Sequence, residues 1–164
     1  MKQSGFTLIE ALVYIALFGL FMTGAIVAAY NLSEGSGRAQ ARAMLKMEGD
    51  FLLRKIELLC RDSSEVASPT VNASGTTLVV LRPDGSTVRV SLVGDNLQLD
   101  SGDGPQRLAD GDVRVTELVF QHTRADGIGV DPEEVSFRFT VAAVAPNGML
   151  VTERFPTTTV SLRK

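Results

Sequence analysis

Hydrophobic and polar positions fall into three textures along this chain. From Ala11 to Leu32, 22 residues pass without a formal charge. As α-helix that run is about 33 Å long, enough to cross a hydrocarbon core of about 30 Å. From Arg38 to Arg61 the pattern is helical and two-sided. Met44, Leu45, Phe51, Leu52, Ile56 and Leu59 recur with Glu48 and Lys55 at three- and four-residue spacing. The apolar members predict one stripe packed on a sheet, with Arg42, Lys46, Asp50, Arg54, Glu57 and Arg61 largely on other faces. On that reading Phe51 belongs to the core, and Phe51→Ala costs about 3–5 kcal/mol. Ser33-Glu34-Gly35-Ser36-Gly37 is a weak point between the two halves, and Gly19 and Gly24 are soft points within the first. Asp62-Ser63-Ser64 ends the helix, at about fifty residues in all, far above the usual average.

From Thr76 onward the texture is strand and turn. Thr76–Leu81, Thr87–Val93, Leu97–Leu99, Val113–His122, Val135–Ala145 and Met149–Leu162 are the expected strands, the last broken at Pro156. Arg82-Pro83-Asp84-Gly85, Gly94-Asp95-Asn96, Ser101-Gly102-Asp103-Gly104-Pro105 and Pro146-Asn147-Gly148 are the turns and loops between them. Short runs joined by short turns predict an antiparallel β-meander. The fold class is α+β, a long N-terminal helix packed on that meander.

Charge changes the picture at one position. Glu10 stands at the head of the apolar run, where a membrane-buried charge costs roughly 2.5–3.5 kcal/mol. Its structural reading is a carboxylate at the membrane edge that snorkels to the headgroups. Before it comes Lys2-Gln3-Ser4-Gly5-Phe6-Thr7-Leu8-Ile9. The segment Gly5-Phe6-Thr7-Leu8-Ile9-Glu10 with its apolar run resembles the N-terminus of type IV prepilins and of the pseudopilins of type II secretion systems. The resemblance covers about the first thirty residues. It implies a leader, residues 1–5, cut between Gly5 and Phe6 by a prepilin peptidase, with N-methylation of Phe6. It implies that Glu10 acts in assembly, pairing with the N-terminal amine of a neighbouring subunit. It implies as partners other pilin or pseudopilin subunits and an assembly platform in the cytoplasmic (inner) membrane. The order of helix and hairpins also resembles the larger minor pseudopilins and minor pilins, the J-type among them, by texture alone.

The division expected is therefore a leader at 1–5, a transmembrane and assembly helix at 6–32, and a globular domain at 33–164, with its amphipathic helix at 38–62 and its sheet at 76–163. Lys2 and the amino terminus favour a cytoplasmic N-terminus, against a weaker pull from Arg38, Arg42 and Lys46. The domain then lies on the periplasmic or extracellular side. A conventional secretory signal has a shorter apolar core, although Ala28-Ala29 supplies the small residues that such a signal ends on. A bitopic protein whose outer β-domain binds a ligand without filament assembly is the alternative function.

The remaining composition excludes more than it adds. The chain has 164 residues and a net charge of −3, with no basic patch of the kind that binds nucleic acid. Its one cysteine, Cys60, has no internal disulfide partner, and its place on an amphipathic helix points to burial. With one histidine, His122, at the end of a strand, neither a zinc site nor a Cys-His pair is supported. No residue set supports catalysis, and no cofactor is expected. Asp95, Asp100, Asp103, Asp110, Asp112, Asp126 and Asp131 are of a type that calcium uses, and equally of a type that turns use. A lack of disulfides favours a minor over a major subunit.

Overall fold

The computed structural model describes residues 7–109, 111–124, 133–146 and 148–162. A single helix, α1, runs Leu8–Arg61, and the chain divides into two compact units, Met1–Ala39 and Gln40–Lys164. The described part of the first unit is helical from Leu8 onward. The glycines do not interrupt it. Gly19, Gly24 and Gly35 stand in open space, the Thr23 hydroxyl donates to the Gly19 carbonyl at 2.8 Å, and Arg38 pairs with Glu34 at 3.1 Å across Gly35 and Gly37. Each glycine costs about 1 kcal/mol against alanine, too little to stop a helix already nucleated on both sides.

Among the described residues the second unit holds the end of α1 and nine strands. They are β1 (Glu65–Ser68), β2 (Ser74–Gly75), β3 (Thr77–Leu81), β4 (Thr87–Val93), β5 (Asn96–Asp100), β6 (Pro105–Arg107), β7 (Val113–Arg124), β8 (Glu133–Val144) and β9 (Leu150–Ser161). The fold is α+β and antiparallel throughout, as the pattern predicts. The strands do not form one meander, however. They divide into a five-stranded sheet, β1-β3-β4-β5-β6, and a four-stranded sheet, β2-β7-β8-β9. Three strands, β1, β2 and β6, fall where no strand was expected. They are two to four residues long and largely exposed, so they are defined by the neighbour they pair with and not by their own alternation.

Two bulges set the core face of the second sheet. On β7 the buried residues are Val113 and Val115, then Leu118, Phe120 and His122, and the switch from odd to even falls at the register shift between Val115 and Glu117. On β9 Val151 and Phe155 give way to Val160 in the same manner, at the shift opposite Phe137 and Phe139. One extra residue reverses which face a strand's side chains take. Pro156 lies in the second bulge, where its missing N–H disturbs no ladder bond, so β9 is continuous and not broken there. Between these two strands, β8 buries Val135, Phe137, Phe139 and Val141. Phe139 stacks on Phe155 with centroids 4.8 Å apart, and Phe120 tilts against Phe137 at 6.2 Å.

The helix meets the core along Ala41, Leu45, Gly49, Leu52, Ile56 and Leu59. Phe51 and Met44 are not on that line. Phe51 is 51 % exposed, one residue and so 100° of helix from Leu52, and the expectation that it lies in the core is wrong. The residue that makes the contact is Gly49. A Cβ there would fall within the Phe155 ring, itself held by the stack on Phe139. Gly49→Ala is therefore expected to destabilise the domain by about 1–3 kcal/mol, although alanine is the better helix former by about 1 kcal/mol. Phe51→Ala should change stability by no more than about 0.5 kcal/mol, the range of exposed substitutions. Thermal melting of the two variants checks this, and the reverse order would refute the packing.

Candidate functional site

The N-terminal site begins outside the described residues, since Gly5 and Phe6 both precede Thr7. From Thr7 its geometry is local. The Thr7 carbonyl accepts from the Glu10 and Ala11 amides at 3.1 and 3.2 Å, which makes Thr7 the cap of α1. The Thr7 hydroxyl stands 3.4 Å from Glu10 Oε2 as its donor. Thr-x-x-Glu is the spacing of a capping box, and an acid in the first turn also suits the positive end of the helix dipole. Sequence reasoning missed this second role of Glu10, though its signal was in plain view.

Beyond Glu10, Leu12, Ile15, Phe18, Phe21 and Ile26 are all more than half exposed. No described residue from Leu8 to Ser36 is buried. An apolar surface all round is what a lipid or a ring of other helices covers, and α1 is long and apolar enough to cross a membrane. In the second unit the helix has a further bare apolar line, at Met47, Phe51 and Leu58, 73, 51 and 55 % exposed. It lies away from the stripe that the sheets cover. The spacing of four and seven keeps these three on one face.

The lone thiol and the lone imidazole are both buried. Cys60 is sealed in the core, and burial, with a smaller contribution from Glu57, pushes its thiol up to about 12. A thiol so placed is a packing residue, as its position on the helix predicts. His122, read from the sequence as a structural residue at a strand end, is buried in a polar cluster. Its Nδ1 donates to the Pro69 carbonyl at 2.9 Å, and its Nε2 stands 3.4 Å from Glu133 Oε2. Glu133 pairs through its other oxygen with Arg124, and its Oε2 also faces the Val66 amide at 3.4 Å. The cluster ties β7 and β8 to β1 and to the connection after it. Its members lie far apart in sequence and show no motif.

Of the acidic turn residues, Asp110, Asp126 and Asp131 lie outside the described residues. Asp100 accepts from the Gly102 amide at 3.0 Å, and Asp95 faces Arg114 at 3.9 Å. Among the described residues no three His, Cys, Asp or Glu side chains come together as a metal site.

Residues 1–26 match the family model of the prokaryotic N-terminal methylation motif. No curated protein and no solved structure matches the chain. The motif covers the segment that opens the exposed apolar helix, and over that segment the chain is type IV prepilin-like.

Proposed function

We propose that this chain is a structural subunit, in a minor role, of a type IV pilus-like filament or a type II secretion pseudopilus. A prepilin peptidase cuts between Gly5 and Phe6, and the new Phe6 amine is methylated. The N-terminus faces the cytoplasm and the β-domain lies outside the inner membrane. The helix is held first in lipid and then among the helices of other subunits, so its apolar surface stays out of water in both places. In the filament Glu10 pairs with the Phe6 amine of a neighbour. A buried carboxylate beside a cation is far less costly than one alone, which turns the pair into a register device.

The observation that carries this reading is the methylation motif set on an apolar helical segment that has no buried residue from Leu8 to Ser36. The bare line Met47, Phe51 and Leu58 supports it further, as a surface that a neighbouring helix would cover. The test is the N-terminal mass of the protein expressed in a host with an active peptidase. Processing yields a chain that begins at Phe6 and carries one extra methyl group. Gly5→Leu is expected to block the cut by filling the close approach at the scissile bond, leaving a chain that begins at Met1. A wild-type chain that begins at Met1 sinks the reading and favours the bitopic alternative.

A further inference from the structure

Between β1 and β2 the chain crosses from the five-stranded to the four-stranded sheet through residues 69–73. One residue of β7 fastens that crossing at three points. The His122 amide donates to the Ala73 carbonyl at 3.1 Å, the Asn72 amide donates to the His122 carbonyl at 2.8 Å, and the imidazole Nδ1 donates to the Pro69 carbonyl at 2.9 Å. The first two bonds join backbones, and many side chains at this position would allow them. The third needs the ring.

That third bond fixes the tautomer. A carbonyl only accepts, so Nδ1 carries the proton, and in the neutral ring Nε2 is a bare lone pair. The residue is 1 % exposed, and Nε2 has no hydrogen-bond partner among the described residues. What faces it is the Glu133 carboxylate, with Oε2 3.4 Å away. Two acceptors therefore face each other away from water, which is unfavourable. A second proton turns the same contact into a cationic donor facing a carboxylate, a charge-assisted pair. Among the described residues the charged groups brought to the ring are Glu133 from β8 and, on the other oxygen of that carboxylate, Arg124 from β7. The groups that β1 and the crossing bring are neutral, the Val66 amide and the Pro69 carbonyl. Arg124 already balances the charge of Glu133, which bounds the gain from the second proton.

We propose that His122 is a proton-gated latch on the crossing between the two sheets. Neutral, the ring holds Pro69 alone. Doubly protonated, it holds Pro69 and Glu133 at once, and so ties the crossing to β8 as well as to β7. The latch is closed in acid, below the pH range in which an imidazole ordinarily loses its second proton, and open above that range. It belongs to the β-domain and does not rest on filament assembly.

The test is amide hydrogen exchange of the full chain in nanodiscs at about pH 5.5 and about pH 8, corrected for the pH dependence of exchange itself. His122 is the chain's one histidine, and the Cys60 thiol, pushed up to about 12, stays neutral throughout. Protection of the Asn72 amide reports on the crossing, and it should be several-fold greater in acid. The nitrogen NMR signals of the ring should show both nitrogens protonated there. In His122→Asn, whose amide can donate to the Pro69 carbonyl but takes no proton, the difference in protection should vanish. Equal protection at the two pH values in the wild type, or weaker protection in acid, overturns the proposal. So does a ring that keeps Nε2 bare in acid, or a pH response of the same size in His122→Asn. The two wild-type measurements decide the matter even where that variant does not fold.

Discussion

Glu10→Leu is expected to insert into the membrane and to be cut as well as the wild type, and then to fail to enter a filament. Insertion gains from the change, because a carboxylate near the span costs roughly 2.5–3.5 kcal/mol at its centre and less toward its edge. On the proposed pairing assembly loses, because the Phe6 amine of a neighbour would be left without its counter-charge in an apolar surround. An uncompensated buried charge costs about 3–5 kcal/mol, which lowers incorporation by more than a hundredfold. The capping geometry at Thr7 gives a competing account, in which Glu10 serves only its own helix. Loss of a first-turn acid costs about 0.3–1 kcal/mol, too little to undo a 54-residue helix. Glu10→Gln separates the two, since glutamine completes a capping box but carries no charge. If the charge pair matters, Gln fails as Leu does, and Asp, one methylene short, rescues in part. Processing is read by N-terminal mass and incorporation by cross-linking to partner subunits. Normal incorporation of Glu10→Leu would reduce Glu10 to an edge-snorkelling charge.

Glu133→Ala should be the most damaging single change in the β-domain. Arg124 and His122 both face this carboxylate, which is 8 % exposed, and the Val66 amide faces it as well. Removing it leaves the Arg124 guanidinium without its counter-charge and the Val66 amide without its acceptor. The expected loss is about 3–5 kcal/mol. For a domain of this size that lowers the melting temperature by on the order of 10–20 °C. Glu133→Gln, which keeps the shape and one acceptor oxygen, should cost less. Combining Glu133→Ala with His122→Ala should cost less than the sum of the two, because each removes the other's partner. Strict additivity in thermal melts would show that the 3.4 Å approach of His122 to Glu133 carries no coupling.

The parts of this fold that were legible in the sequence are those with a repeating local cause. The end of α1 at Arg61 follows from Asp62-Ser63-Ser64, and β4 follows from the alternation of Val88, Val90 and Leu92 between two turn signals. The Arg82–Gly85 turn follows from its residues. Ser86 holds the Asp84 carboxyl below the usual range, first through its side chain and then through its amide, which donates to Asp84 at 2.8 Å, and Gly85 takes φ +81°. Burial of Cys60 follows from its place on the helix. Where the reading failed, two apolar faces of one helix competed. Met44 and Phe51 share a spacing of seven, just as Leu45 and Leu52 do, and periodicity alone cannot say which pair the sheets cover.

The same division holds for function. The anchor, its capped start at Thr7 and Glu10, and the methylation motif are contained in about the first thirty residues, each a matter of composition and spacing along one helix. The sequence by itself determined those, because a helix needs no distant partner to form them. Tertiary structure alone decided which glycine touches the sheet, where two bulges reverse the inward faces of β7 and β9, and that the strands form two sheets. It alone brought Val66 and Pro69 to His122, Arg124 and Glu133, and paired Val144 with Leu150 across the β8–β9 turn. Each of these depends on which strand lies beside which, and one residue of register, invisible in composition, is enough to change the answer.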